Sequence, residues 1–185
     1  MPVALHRPLE VYESSGLQKM TDRLIAAYAE DIAVRSSPGG EHEGEAAPVV
    51  RLHEIAPGVV YRDSLVTATA FLEHHGTWAQ AFGYRIQTPD KVIVLSGDTG
   101  PPSGVVGQCQ GCALLLHEGG TVLAADATPY FWRFHTTVED LAKIARRRGP
   151  TAGAVSSAAG RAGVGAELCG AAGAVCGVVR GGARS

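Results

Sequence analysis

Four short segments of the chain place histidine, aspartate or glutamate directly after apolar, strand-like runs. They are Glu73-His-His-Gly76, Ser96-Gly-Asp-Thr99, Leu116-His-Glu118 and Phe134-His-Thr-Thr137. A side chain that follows a strand stands in a loop, where it can face a cleft. Imidazole and carboxylate together suit Zn²⁺, or Mn²⁺ and Fe²⁺ when several oxygen ligands are present. Each segment alone would be explained as a cap or a turn, but their order along the chain indicates a metal-dependent site.

The elements that must position these segments change type along the chain. Residues 14–32 carry apolar side chains at helical spacing and predict an amphipathic helix with Ser15 as its N-cap. Short β-prone runs separated by turn residues then predict a β meander; they cover residues 49–55, 58–61, 65–72, 82–87 and 92–96. A strand over 114–117 follows, and a capping box from Thr136 to Glu139 opens a helix over 137–147. This order predicts an α/β layered domain.

Composition limits the classes of function. The chain has 185 residues, a mass of 19.2 kDa and a formal net charge of -2, from 16 basic and 18 acidic side chains. This balance argues against a surface dedicated to nucleic acid or to an anionic membrane. No stretch of signal-peptide or membrane-spanning length is apolar, which predicts a soluble, cytoplasmic chain that does not associate with membranes.

The last part of the chain has a different composition. Residues 151–185 contain 9 Gly and 10 Ala, with no Lys and no aromatic residue. Such a segment buries little area per residue and loses much backbone entropy on folding. We therefore predict a partial domain over 1–148 and a low-complexity, Gly/Ala-rich tail over 149–185. The tail is explained either as a flexible or weakly helical segment or as the product of a reading frame that slipped near Arg148.

The four cysteines form neither a dense disulfide framework nor a zinc ribbon. Cys109 and Cys112 are three residues apart, and Cys169 and Cys176 lie in the tail. We predict ordinary thiols, because Cys109 and Cys112 could bind zinc only with two further ligands that the sequence does not place nearby.

In combination, these segments resemble a known family. His-Gly-Thr-Trp followed by Ala-Phe-Gly-Tyr-Arg, then Ser-Gly-Asp-Thr, His-Glu and His-Thr-Thr before a helix, is similar to the C-terminal half of metallo-β-lactamase-fold hydrolases of the ribonuclease Z and arylsulfatase-like branch. The resemblance covers roughly residues 8 to 148. It implies an αβ/βα sandwich that lacks its N-terminal part.

The resemblance also implies a role for each matching residue. His75 matches a metal-ligand histidine, and Asp98 matches the carboxylate that bridges two zinc ions. His135 resembles the histidine that gives a proton to the leaving group. His117 and Glu118 resemble a buried pair behind the site, with Glu118 able to orient His135 by a hydrogen bond. In intact relatives the implied nucleophile is a metal-bound hydroxide that attacks a phosphoryl, sulfuryl or acyl centre.

The match is incomplete in ways that bear on activity. The chain contains no His-x-His-x-Asp-His string, and no histidine follows His135. It therefore offers two of about seven implied ligands, His75 and Asp98, and two side chains rarely hold a dinuclear centre. We expect weak or absent zinc binding and no activity of this chain by itself. The chain is therefore interpreted as a fragment or degraded gene product of a metal-dependent hydrolase. The two alternatives are a half-domain completed by a partner chain and a noncatalytic binding or structural domain.

The substrate is expected to be a small ester. Only residues 86–95 separate Arg85 from Ser96, which leaves little room for an insertion that grips RNA. With no basic patch, nucleic acid is an unlikely partner, and a small phosphodiester, sulfate ester or lactone is favoured. Exposed strands would also permit a homo-oligomer.

Overall fold

The computed structural model describes residues 8–43, 50–101, 104–119, 122–147 and 153–156. The chain divides into two compact units, residues 1–56 and residues 57–185. Among the described residues, no helix is long and apolar enough to cross a membrane.

The first unit pairs two short strands beside two helices. Strand β1 spans Leu9–Glu13, helix α1 Leu17–Ala27, helix α2 Ala29–Ser36 and strand β2 Val50–Glu54, and β1 pairs with β2 in parallel. The predicted single helix over 14–32 is thus interrupted at Tyr28, whose backbone leaves the helical region at φ −95° and ψ 9°. Ser15 is not the N-cap; that position belongs to Gly16, which has a φ of 97° that glycine adopts without a steric penalty.

The second unit is built on a six-stranded mixed sheet. Its strands are β3 (Gly58–Arg62), β4 (Thr67–His75), β5 (Trp78–Gln87), β6 (Val92–Leu95), β7 (Leu114–His117) and β8 (Gly153–Ser156), paired in sequence order. Strands β3 to β6 run antiparallel as a meander, and β6, β7 and β8 are parallel to one another. The predicted α/β class is confirmed, and the meander follows the predicted order from Gly58 onward. The run over 49–55, predicted as its first strand, instead forms β2 of the first unit's parallel pair.

Among the described residues of this unit, helices α3 (Val105–Gln108), α4 (Pro129–Phe134) and α5 (Val138–Arg147) accompany the sheet. Apolar side chains from the sheet and from α3 form one buried cluster, against which Ile144 of α5 packs; its members are Phe71, Val94, Val105, Cys109, Cys112 and Leu115. Removing this apolar surface from water supplies the main favourable free energy of folding. The cluster thus packs α3 and α5 against the sheet.

The start of α5 differs from the predicted capping box by one residue. The Thr137 hydroxyl donates to Asp140 Oδ2 at 3.0 Å, and the Asp140 N–H donates back to Thr137 Oγ1 at 3.3 Å. Glu139 instead accepts a hydrogen bond from the N–H of Ala124. In the sequence, either Thr136 with Glu139 or Thr137 with Asp140 could form a capping pair three residues apart. Because Glu139 bonds to Ala124, the structure uses Thr137 and Asp140.

Cys109 and Cys112 form a disulfide, so the prediction of ordinary thiols is wrong for this pair. Both side chains are fully buried in the core cluster. Cys169 and Cys176 lie outside the described residues.

Part of the predicted tail belongs to the sheet. Residues Gly153–Ser156 form β8, which pairs in parallel with β7, although their composition contains no strand signal. Backbone pairing with an existing strand edge does not depend on side-chain type, and this explains why composition missed it. The remainder of the tail from residue 157, with the two explanations given for it, lies outside the described residues.

Candidate functional site

The candidate site lies at one edge of the six-stranded sheet. Strand β4 is antiparallel to β5, and β5 is antiparallel to β6, so β4 runs parallel to β6 and β7. His75 ends β4, Asp98 follows β6, and Glu118 follows β7. The carboxyl ends of parallel strands meet at the same edge of a sheet, where ligands bind in open α/β sheets. Three of the four sequence segments therefore converge because of strand direction. The fourth, Phe134-His-Thr-Thr137, begins where helix α4 ends and does not follow the strand that the sequence predicted.

Asp98, Glu118 and His135 form the centre of this site. Each offers a ligand atom, and these atoms all lie within 4.8 Å of one another; within the described ranges this is the one such group of three or more His, Cys, Asp or Glu residues. Asp98 is exposed, whereas the side chains of Glu118 and His135 retain 16% and 32% of their accessible surface. One imidazole beside two carboxylates is a donor set suited to a divalent cation.

Glu118 is already engaged by its own protein neighbours. Its Oε1 accepts hydrogen bonds from the backbone N–H groups of Thr136 at 3.0 Å and Thr99 at 3.5 Å. Its Oε2 lies 3.4 Å from His135 Nδ1. Burial raises the pKa of Glu118 above its ordinary value, against the opposing effect of these two N–H donors and of His135. These partners favour an orienting role for Glu118 over a role as a metal ligand.

His75 stands next to this group with one ring nitrogen occupied. Its Nδ1 donates to the carbonyl of Phe134 at 3.0 Å, and its ring centroid lies 5.7 Å from that of His135. This leaves Nε2 as the lone-pair nitrogen, the arrangement typical of a ligating histidine. His74, in contrast, is exposed, and its backbone carbonyl accepts from the N–H of Gly100.

The close approach of α4 to β4 depends on the glycine after His75. Gly76 has a φ of 57°, and a β-carbon there would come within 2.0 Å of the Phe134 ring. The Gly76 N–H also donates to the Arg133 carbonyl. Only glycine permits this contact, which holds the carbonyl of Phe134 beside His75.

The four sequence segments also contain a buried polar group whose contacts the sequence patterns did not predict. Glu73 is only 7% exposed, and Thr99 and Thr136 are almost fully buried. All three are hydrogen bonded within the loops that carry the site. The one available signal was a carboxylate in an apolar strand, since a buried Glu requires polar partners.

The two tryptophans near the site differ in exposure. Trp78 pairs with His75 across the β4–β5 turn and is 67% exposed. Trp132 is partly buried on α4. The rings that contact the site histidines are those of Phe134 against His75 and Phe131 against His135.

His117 lies behind the site and is 2% exposed. The Gly119 N–H donates to its Nδ1 at 3.0 Å, so Nε2 carries the proton, and Nε2 has no hydrogen-bond partner among the described residues. Burial lowers the pKa of His117 from 6.5 to about 4. The buried ring is therefore neutral at pH 7, as expected of a member of the buried pair.

We predict that His117 makes folding sensitive to mild acid. Because its pKa is lower in the folded state, the unfolded chain binds more protons between pH 6.5 and about 4. The stability that depends on a neutral His117 is fully present above pH 6.5. The free energy of unfolding then falls by up to about 3 kcal/mol as the pH approaches 4. Urea unfolding at several pH values should show this loss for the parent chain and a smaller loss for His117→Leu. The exposed control His74→Gln should behave like the parent, and equal pH dependence in the parent and His117→Leu would contradict the assignment.

Asp98, Glu118 and His135 are the described residues whose ligand atoms lie close enough to share one divalent cation, and His75 is not a member of that group. Asp98 belongs both to the sequence-derived pair with His75 and to the structural group with Glu118 and His135. His75 offers a free Nε2, whereas the oxygens of Glu118 face protein donors. The described residues supply no second group of ligands for the dinuclear centre that the resemblance implies.

Curated proteins that match this chain in sequence carry the name ribonuclease Z. The chain is 27% identical over 149 residues to "Ribonuclease Z" of Mycobacterium sp. (strain KMS), covering 77% of this chain and 51% of that protein. It is 27% identical over 151 residues to "Ribonuclease Z" of Mycobacterium marinum, covering 77% of this chain and 52% of that protein. The chain thus spans about half the length of the curated relatives that it matches.

Solved structures share the fold at low sequence identity. Human tRNase Z, short form, has a TM-score of 0.62 at 19% identity, covering 82% of this chain and 60% of that chain. The metallo-beta-lactamase fold protein YhfI from Bacillus subtilis has a TM-score of 0.64 at 12% identity, covering 92% and 62%. The family model of the beta-lactamase superfamily domain matches residues 15–154, well over half of the chain. The chain therefore belongs to this family and has the metallo-β-lactamase fold.

Proposed function

We propose that this chain forms the part of a metal-dependent phosphodiesterase site that holds one divalent cation and delivers a proton to the leaving group. The observation that carries the proposal is the convergence of His75, Asp98, Glu118 and His135 at one edge of the sheet. His75 Nε2 and an oxygen of Asp98 would hold the cation. When bound, the cation supplies Lewis-acid activation of the ester and of the attacking water.

The chain's own residues account for the proton. Water adds to phosphorus and loses one proton to solvent, and the bond to the leaving oxygen breaks. That oxygen takes a proton from Nε2 of protonated His135, which regains a proton from solvent. Nδ1 of His135 faces Glu118 Oε2 at 3.4 Å, so the carboxylate stabilises the charged imidazole and sets the direction of Nε2. The N–H groups of Thr136 and Thr99 hold Glu118 in place for this task.

RNA is the substrate we propose first. The relatives carry the name ribonuclease Z, which opposes the expectation from charge and from the short 86–95 link that nucleic acid is an unlikely partner. That expectation assumed phosphate contacts spread over a basic surface, whereas a hydrolase must only bind the phosphodiester at its reacting centre. A small phosphodiester remains the second candidate, favoured by the formal net charge of -2.

Calorimetric titration with Zn²⁺ or Mn²⁺ tests the metal part of the proposal. We expect one cation per chain and no binding after excess chelator. Two tightly bound cations per chain, or none, would contradict the assignment.

Cleavage assays test the substrate. Precursor tRNA and bis(p-nitrophenyl) phosphate should be compared at equal metal concentration. Against the sequence-based expectation of no activity, a site with one cation and its own proton donor predicts slow, chelator-sensitive cleavage that favours the RNA. A preference for the small ester would restore the ranking that the sequence favours, and sulfatase activity without phosphodiesterase activity would overturn the proposal.

A further inference from the structure

A buried carboxylate on β4 lies at the centre of the hydrogen bonds that hold the Asp98 loop. Glu73 precedes His75 by two residues and is 7% exposed. Its Oε2 accepts from the Thr99 hydroxyl at 3.1 Å and from the Gly104 N–H at 2.8 Å. Thr99 directly follows Asp98, and Gly104 precedes α3. One oxygen of Glu73 thus contacts both the residue that follows Asp98 and the residue that precedes α3.

Thr99 connects this carboxylate to the rest of the site. Its side chain is fully buried, its N–H lies 3.5 Å from Glu118 Oε1, and its carbonyl accepts from the Thr136 hydroxyl at 2.7 Å. Thr136 follows His135 in the chain. Glu73 is therefore linked through one residue to Asp98, to Glu118 and to the segment that carries His135.

The Gly104 N–H bond, at 2.8 Å, has the length of a charge-assisted hydrogen bond, whereas the Thr99 hydroxyl also lies 3.1 Å from the Gly100 carbonyl and 3.3 Å from the His74 carbonyl. A carboxylate acceptor strengthens a hydrogen bond, and a buried carboxylate without donors would be costly, so the donors and Glu73 require each other. Backbone contacts support the same register: the Gly100 N–H donates to the His74 carbonyl at 2.7 Å. A loop held at several points from one strand has little freedom to move Asp98 relative to His75.

We propose that Glu73 is a positioning residue that sets the place of Asp98, and through Thr99 that of Glu118, for cation binding. This inference rests on the proposed function for its purpose, because positioning matters only if Asp98 is a ligand. Hydrogen-bonded partners of metal ligands affect metal affinity by roughly 10- to 100-fold. Glu73 acts here through the loop backbone and touches no substrate.

Two substitutions at this position separate positioning from folding. Glu73→Leu removes the acceptor, whereas Glu73→Gln keeps one carbonyl oxygen, and one oxygen serves both described donors. In the full, metal-free chain we expect Glu73→Leu to lower hydrogen-exchange protection of the Thr99, Gly100 and Gly104 amides by about tenfold or more. Glu73→Gln should keep that protection, and amides of β7 should be unchanged in both variants.

Titration with Co²⁺ gives the readout that is specific to ligand geometry. We expect Glu73→Leu to weaken Co²⁺ binding by roughly 10- to 100-fold and to change the visible absorption spectrum of the complex, with rescue by Glu73→Gln. If Glu73→Leu does not fold, Thr99→Val and Thr99→Ser decide the question, because only serine retains the hydroxyl that Glu73 accepts. Unchanged loop protection and Co²⁺ affinity in the variants that lack the contact would overturn the inference.

The two proposals can fail separately. If the parent chain binds no Co²⁺, the proposed function fails, while hydrogen exchange still shows whether Glu73 holds the Asp98 loop. If the parent binds Co²⁺ and the Glu73 and Thr99 variants bind it equally well, the positioning role fails and the proposed function stands.

Discussion

The Asp98→Asn variant should bind a divalent cation at least about 100-fold more weakly than the parent chain. The Asp98 carboxylate supplies a negative charge to the cation, and the amide of asparagine does not. Removing the hydrogen-bond partner of a ligand weakens metal affinity by roughly 10- to 100-fold, so losing the ligand itself should weaken it more. Asp98 is exposed, so the change should leave the fold intact. Calorimetric titration with Zn²⁺ checks this result, and cleavage of phosphodiesters should fall with cation occupancy.

A matched control residue lies beyond the other end of strand β6. Asp90 precedes β6, at the end opposite to Asp98, and its side chain is 73% exposed. Asp90→Asn removes the same charge from the chain and should bind Zn²⁺ like the parent. If both variants lose affinity equally, general electrostatic attraction explains binding; if neither does, Asp98 is not a ligand.

The His135→Ala variant should lose about 10²- to 10⁴-fold in the rate of phosphodiester cleavage while its cation affinity stays within about threefold of the parent. The reason is that Nδ1 of His135 faces Glu118, so its remaining nitrogen serves proton transfer and His75 supplies the imidazole ligand. Single-turnover cleavage and metal titration on the same preparation measure the two quantities separately.

The choice of leaving group sharpens this test. An ester with a leaving group of low pKa needs little protonation, so His135→Ala should impair it far less than it impairs RNA. The opposite pattern, a large loss of cation affinity with equal loss of rate on both esters, would make His135 a metal ligand within the group formed with Asp98 and Glu118. His53→Gln, in the first unit, is the control for loss of an imidazole.

Much of the fold followed from local patterns. The order of the meander, the strand at Leu114–His117 and the helix over Val138–Arg147 were predicted because period-2 and period-3.6 apolar spacing are properties of neighbouring residues. The break at Tyr28, strand β1 and helix α4 were missed. These elements lack a strong periodic signal and depend on contacts with residues distant in sequence.

The sequence placed nucleic acid low among the candidate partners. Net charge describes the whole surface, but binding of a single phosphodiester depends on a few groups at one place. The names of the relatives changed that ranking, and neither composition nor the length of the 86–95 link could have done so.

The sequence by itself determined which chemical groups are present and in what order: the imidazoles of His75 and His135, the carboxylates of Asp98 and Glu118, and the absence of further ligand motifs. Only the tertiary structure decided their distances and partners, because these depend on strand direction and on pairing between residues far apart in the chain. The contact of Glu73 with Thr99, 26 residues away, is of this kind. A buried carboxylate requires donors, but sequence spacing does not say which loop provides them.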